Sequence, residues 1–395
     1  MIKIVHVVNQ FFAGLGGEEK AGLLVGVIEG CAGAARALAQ KLGAAGEVVC
    51  TIYVGDNYFH EHKEEALKAI LEAVGAAEPE VLVAGPAFNS GRYGLACVEI
   101  CNAVANGLDW EVGDEVVCYL DDYPADVYPW LGLERNGVTP VLLQTAQLGE
   151  ITPEIVERAL TKRTRLVALA SASNASGYRI DIETIGQMCK ERGILFSVDG
   201  IQTVGAFLIP LRNVDFLSAG AQKWMLGPSG AGILFVKESR RDLLRPMMVG
   251  GWNVESPNFV AQREIRYENG GRKFEPGGYN NIPIAGMQGA IALLSDVGLS
   301  KISERILSLI ATLKSKLDPA DFEFLSPDGS SDHASFLTFR PRRVASEKLV
   351  DALAKNDVVV SLRIDRANHG WIRVSPHFYN TLAEMERIAE VLNQS

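Results

Sequence analysis

A 395-residue chain with a formal charge of −10 and a pI near 5.3 is long enough for two or three domains, and it lacks the basic stripe of a nucleic-acid-binding surface. Its composition, 48% hydrophobic and 22% charged, is that of an ordinary α/β protein, and no apolar run approaches the ~18 residues that cross a bilayer. All six cysteines lie in the first half and form no disulfide framework, which fits a reducing cytoplasm.

The opening segment MIKIVHVVNQFF lacks the features of a signal peptide and reads as a first strand. Two more β-branched runs, EVVCTIYVG and EVLVAGPAF, follow within the first hundred residues. Helical periodicity is read between them, over EEKAGLLVGVIEGCAGAARALAQKL and KEEALKAILEAVGAA. Buried strands joined by helical crossovers predict a parallel sheet covered on both faces. Two glycine-rich loops, 11–20 and 85–94, each follow a strand and precede a helix, where backbone N–H groups can meet an anion. Neither has the spacing of a P-loop or of GxGxxG, and tight turns are the simpler reading. Cys97 and Cys101 share a helical face and read as small buried residues; His60 and His62 read as solvated, with metal binding a weak alternative.

From Asp114 the alternation continues through EVVCYL, VTPVLLQ, RLVALASAS, GILFSVDG and VDFLSAG, with helices at ITPEIVERALTK and IDIETIGQMCKERG. GAGILFVK is a further strand, running against the others. Beyond Gly277 the texture changes. Helices over 282–317 and 346–356 flank SFLTFR, DVVVSLR and GWIRVS, and LAEMERIAEVLNQ forms a last helix, so a smaller α+β domain closes the chain.

Ligands of open parallel sheets bind at the carboxyl ends of strands, and several polar residues fall there in register. Asp199 ends ILFSVDG and Lys223 follows the next strand, 24 residues later. A strand-end carboxylate and lysine are what a pyridoxal phosphate (PLP) site requires: the amine forms an imine with the coenzyme, and the carboxylate keeps the pyridine nitrogen protonated. Tyr123 is placed to lie on the ring, or to line a wall. Asn174 is placed to donate to the phenolate oxygen, or to serve a turn in NASG. Gln202 lies just beyond Asp199, and Arg373, in an apolar strand, suits a bidentate grip on a substrate carboxylate. No metal site is expected.

Residues from about 99 onward resemble the class V aminotransferases, fold-type I PLP enzymes that include cysteine desulfurases and related lyases. The resemblance rests on EICNAVANGLDWEVGDEVV, DDYPADVYPW, LASASNASG, SVDGIQTVGA, AQKWMLGPSGAGILFV, KFEPGGYN and WIRVSPHFYNT. It implies a catalytic Lys223 and Asp199, a cofactor pocket completed by Tyr123, Asn174, Gln202 and Gln222, and a substrate-carboxylate role for Arg373. It also implies a homodimer acting on a small amino acid, with neither nucleic acid nor membrane as partner. Three departures stand out. The phosphate loop reads Ala96-Cys97-Val98-Glu99 without its hydroxyls, Gly220-Ala221-Gln222-Lys223 replaces Ser-x-His-Lys, and Gly278 stands where a threonine is usual. No cysteine follows Cys189, so the persulfide carrier of desulfurases is missing.

The first hundred residues are similar to component B of the glycine, sarcosine and betaine reductases, through IKIVHVVNQFFAGLGGEEK, GDNYF and VLVAGPAFNSGRYGLAC. The expected organisation is therefore a reductase-like, Rossmann-like α/β segment (1–98), a PLP-binding large domain (99–277) and a small domain (278–395), joined near 97–109. The principal expectation is an aminotransferase or C–S/C–N lyase. The alternative is a non-catalytic fusion whose head docks to a partner protein in a reductase complex.

Overall fold

The computed structural model describes residues 2–9, 13–16, 20, 22–43, 46–55, 58–59, 62–84, 108–328 and 332–394. The chain divides into two compact units, Met1–Arg92 and Tyr93–Ser395.

In the first unit, strands β1 (Ile2–Asn9), β2 (Gly26–Glu29), β3 (Gly46–Val54) and β4 (Val81–Ala84) form one sheet in the order β2-β3-β1-β4. β1 runs parallel to β3 and β4, and β2 runs against β3. Because successive strand residues face opposite sides, each sheet face recruits its own helix. Val5 and Ile52 pack with Ala66 and Ile70 of helix Lys63–Ala77, while Ile4 and Val48 pack with Ala35 of helix Ala34–Leu42. The helix read over 18–42 is thus a strand followed by a shorter helix. Gly22, Gly26, Gly30 and Gly33 explain the difference, since each glycine costs a helix interior about 1 kcal/mol.

The second unit is built on strands β5 (Glu115–Tyr119), β6 (Thr139–Leu143), β7 (Thr164–Ala170), β8 (Leu195–Asp199), β9 (Phe216–Gly220) and β10 (Gly232–Val236). Their order is β10-β9-β8-β7-β5-β6, all parallel except the edge strand β10. Every residue of β5, β8 and β9 is buried, the signature of a parallel sheet covered on both sides. One face packs Val117, Val167 and Phe196 against Val156 and Ile185 from helices Pro153–Ala159 and Ile182–Glu191; the other packs Val116, Leu166 and Phe216 against Trp130 and Leu133.

A third, antiparallel sheet follows in the order β11-β12-β14-β13, from β11 (Phe322–Phe324), β12 (Leu337–Pro341), β13 (Ser361–Ile364) and β14 (Gly370–Val374). Helices Leu299–Ser315, Ser346–Lys355 and Leu382–Gln394 supply Ile306, Leu309, Leu353 and Leu392 to its core, opposite Phe336, Phe339 and Ile372. β11 escapes the sequence reading because three residues carry no usable period. The helix read over 282–317 is two helices, Asn281–Val297 and Leu299–Ser315, bent by 82° at Gly298, whose φ of +90° no helical residue adopts. Among the described residues, no single helix is long and apolar enough to cross a membrane.

The order of the six-stranded sheet fixes where a ligand can sit. The chain leaves β5 for β6 on one side, then returns across β5 to form β7, β8 and β9 on the other. Loops leaving β5 and β7 therefore diverge, and a crevice opens between their carboxyl ends. Gly205 tightens the neighbouring turn: its φ is +96°, and a Cβ there would strike the backbone carbonyl of Trp224, next to Lys223. Gly205→Ala should cost about 1–3 kcal/mol of stability, the usual scale for such backbone strain. Chemical denaturation checks this; an unchanged midpoint would mean that the close approach is not real.

Candidate active site

Asp199 is the last residue of β8 and is 6% exposed. Its Oδ1 accepts a hydrogen bond from the backbone N–H of Ile201 at 2.9 Å, and its carbonyl accepts one from Ser171 at 2.8 Å. In register it lies opposite Ala170 of β7 and Ser218 of β9. The carboxylate is thus buried at the centre of the sheet, where an unpaired charge is expensive and a cationic partner is favoured.

Lys223 follows β9, the strand adjacent to β8, and is half-buried. Its Nζ stands 5.9 Å from the centre of the Tyr123 ring, in the range of a cation–π contact. Tyr123 is also half-buried and packs with Ala125 and with Ile201, two residues beyond Asp199. The loops after β5, β8 and β9 therefore converge on an aromatic face, a carboxylate and an amine, the side-chain set that a protonated pyridine aldehyde requires.

Gln202 is buried, and its Oε1 accepts from the indole N–H of Trp224 at 3.3 Å, tying the Asp199 loop to the Lys223 loop. The Gln222 side chain folds back over Gly220, so closely that a Cβ at Gly220 would collide with its amide. Asn174, beyond β7, offers its backbone carbonyl to Arg373 Nη1 at 2.7 Å. The guanidinium of Arg373 also lies 4.8 Å from the centre of the Phe336 ring. These contacts join β14 of the antiparallel sheet to the β7 end of the crevice, and they give Arg373 a structural duty. The segment Ala96–Glu99, the glycine-rich loops and the junction near 97–109 fall wholly or partly outside the described residues, as does His60. Gly278 is exposed, with open space around its Cα.

Two residues that the sequence reading passed over belong to the same neighbourhood. His377 Nε2 lies 3.1 Å from the Trp224 carbonyl, and its ring stacks on Trp224 at 5.4 Å and on Tyr379 at 5.2 Å. Burial holds its pKa below the usual histidine value, so it supports the lysine loop as a neutral ring. Its signal was its place in the WIRVSPHFYNT motif. Asp122 accepts from the N–H of Tyr123 at 3.0 Å through Oδ1 and from that of Ala170 at 3.3 Å through Oδ2. Burial, and then the charge of Asp199, push its carboxyl up to about 7 against the opposing pull of those N–H donors. Its signal was an acidic pair at a strand end. A separate cleft of about 290 Å3 around Arg179, Thr203 and Phe207 holds none of the predicted site residues. Among the described residues, no cluster of three or more His, Cys, Asp or Glu side chains is arranged to hold a metal ion.

Comparison with known proteins places both parts of the chain in families. The model of the family Aminotransferase class-V matches residues 93–388. The model described as Glycine/sarcosine/betaine reductase selenoprotein B matches residues 1–118. A probable cysteine desulfurase of Pyrococcus abyssi is 25% identical over 349 residues, covering 84% of this chain and 82% of its own length. The apo cysteine desulfurase of Thermococcus onnurineus superposes with a TM-score of 0.71 at 25% identity, over 76% of this chain and 77% of that one. The head is similar to the sarcosine reductase complex component B subunit beta of Peptoclostridium acidaminophilum, 45% identical over 127 residues, which are 32% of this chain and only 29% of that subunit. The reductase-like head and the PLP-type, fold-type I body are thus both present in one polypeptide. The chain belongs to the class V aminotransferase family.

Proposed function

We propose that the body of this chain is a PLP-dependent enzyme that acts on an amino acid with a free carboxylate, as an aminotransferase or as a C–S or C–N lyase. The observation that carries this reading is the amine of Lys223 held over the Tyr123 ring, one strand away from the buried carboxylate of Asp199. The coenzyme, when bound, supplies an electron sink for the pair left on the substrate α-carbon. Lys223 provides the attachment point and then moves a proton at that carbon. Asp199 holds positive charge at the ring nitrogen, Tyr123 covers the ring, and Asn174 and Gln202 serve the phenolate side. Gln222 faces the phosphate, replacing by its amide the hydroxyls lost from Ala96–Glu99. Arg373 orients the substrate carboxylate. The lack of any cysteine after Cys189 argues against a desulfurase relay through a carrier thiol in this chain.

The active unit we propose is a homodimer. Helix Asn281–Val297 exposes Ile282, Ile284, Ile291 and Leu293, and buries only Pro283, Ala290 and Leu294. A second copy would cover that apolar face. We retain the division at residues 98 and 277, a Rossmann-like character for the head, and a cytoplasmic setting, supported by the free, mostly buried cysteines Cys31, Cys50, Cys118 and Cys189.

One observation favours a second reading, a scaffold docked to an amino-acid reductase complex: the head is 45% identical to a reductase subunit, whereas the body reaches 25% to its desulfurase relative. Co-sedimentation with purified reductase components tests docking.

Borohydride treatment of protein incubated with PLP should fix a pyridoxyl group on the Lys223 peptide, and Lys223→Ala should abolish the yellow absorbance and the label. Protein that stays colourless with added PLP selects the scaffold. Arg373→Ala should raise KM for carboxylate-bearing substrates roughly 10-fold or more, the scale of a lost charged hydrogen bond. Amines without a carboxylate should be much less affected; equal damage to both classes would make Arg373 purely structural.

A further inference from the structure

The loop that leaves β5 carries Tyr123 to the crevice, and it is held from two directions. Inward, Asp122 ties it to the sheet: Oδ1 accepts from the N–H of Tyr123 at 3.0 Å, and Oδ2 from that of Ala170 of β7 at 3.3 Å. Outward, a residue 245 positions beyond Asp121 takes hold of it. Arg366 donates from Nε to Oδ1 of Asp121 at 2.7 Å and from Nη2 to the carbonyl of Leu120 at 3.2 Å. One guanidinium thus grips a carboxylate and a backbone carbonyl just ahead of Tyr123 in the same loop.

The side that presents Arg366 is braced. It lies in the turn between β13 and β14, whose last ladder pair is Ile364 with Gly370. Asp365 closes that turn: its N–H donates to the His369 carbonyl at 3.0 Å, and its Oδ1 accepts from the His369 N–H at 2.8 Å. Its Oδ2 accepts from the indole N–H of Trp371 at 2.9 Å, and Trp371 is buried on β14 beneath the Arg340 guanidinium. Asn368 makes the reversal with a left-handed φ of +66°. The backbone that carries Arg366 is thus fixed by its own contacts, which lowers the entropy lost in making the grip.

We infer that Arg366 is a positioning residue for the proposed reaction: by gripping Leu120 and Asp121 it fixes the loop after β5 and so sets the Tyr123 ring beside the Lys223 amine. The centre of that ring lies 5.9 Å from Lys223 Nζ, and the ring packs with Ala125 and Ile201. A shift of the loop therefore moves the aromatic face on which the coenzyme is proposed to rest. The pair meets solvent, with the Arg366 side chain 62% and the Asp121 side chain 30% exposed, so salt screens it. A lone exposed ion pair contributes little; the planar fork, its second acceptor on the backbone and the braced turn set this one apart. The purpose of the grip rests on the coenzyme reading, whereas the grip itself belongs to the free protein.

The test uses the full-length protein carrying Arg366→Ala, Asp121→Asn or both changes. Arg343→Ala, which removes another exposed ion pair, with Asp321, is the control. At about 0.01 M salt, PLP binding followed by absorbance should weaken roughly 2- to 5-fold in the single variants, with the double variant no worse than Arg366→Ala. At about 1 M salt, where the screening length falls to about 3 Å, that deficit should shrink, and the control should match the wild type throughout. Without coenzyme, fluorine NMR of fluorotyrosine-labelled protein, with the Tyr123 signal assigned through Tyr123→Phe, should show that signal shifted in the grip variants and unmoved in the control. Unchanged affinity at low salt, a deficit that salt leaves untouched, or a Tyr123 signal indifferent to Arg366→Ala overturns the inference. If the wild type takes up no PLP, the coenzyme reading fails, and the fluorine signal alone then decides whether Arg366 positions Tyr123.

Discussion

The reversal of strand order between β5 and β7 is the constraint on which the site depends. It parts the loops after these strands. The same reversal brings Tyr123 from one side and the Asp199 and Lys223 loops from the other to a common floor. Burial of the whole of β8 then places the Asp199 carboxylate where water cannot solvate it fully. A group so placed binds a cation strongly or takes up a proton.

Support for the lysine comes from further away. Trp224, next to Lys223, is held by Gln202 on one side and on the other by His377, whose Nε2 meets the Trp224 carbonyl and whose ring stacks on the indole. Arg373 adds a second tie between the antiparallel sheet and the crevice through Asn174. The three-stranded convergence and the C-terminal sheet thus behave as one scaffold, in which the loops that carry function are fixed by packing outside them. Gln222, next to the lysine in sequence, is folded back on Gly220.

Much of this arrangement was legible in the residues. The parallel sheet announced itself through uninterrupted apolar runs such as ILFSVD and FLSAG, since strands covered on both faces need no polar alternation. Asp199, Lys223, Gln202 and Tyr123 could be placed because strand ends in such sheets are predictable. The misreadings have local causes. The short strand Gly26–Glu29 owes its existence to pairing with β3, a contact far away in sequence, so its helical look was misleading. The bend at Gly298 needed a backbone angle that hydrophobic periodicity does not report. The engagement of Arg373 with Asn174 spans 199 positions, and spacing does not encode it.

The central claim is that the carboxylate of Asp199 holds a proton on the nitrogen of a bound pyridine ring. Nuclear magnetic resonance of protein loaded with ring-15N pyridoxal phosphate reads that proton directly. The account predicts a protonated-nitrogen shift in the wild-type protein at mildly alkaline pH and an unprotonated one in Asp199→Ala. An unprotonated nitrogen in the wild type, or the same shift in both proteins, would contradict it.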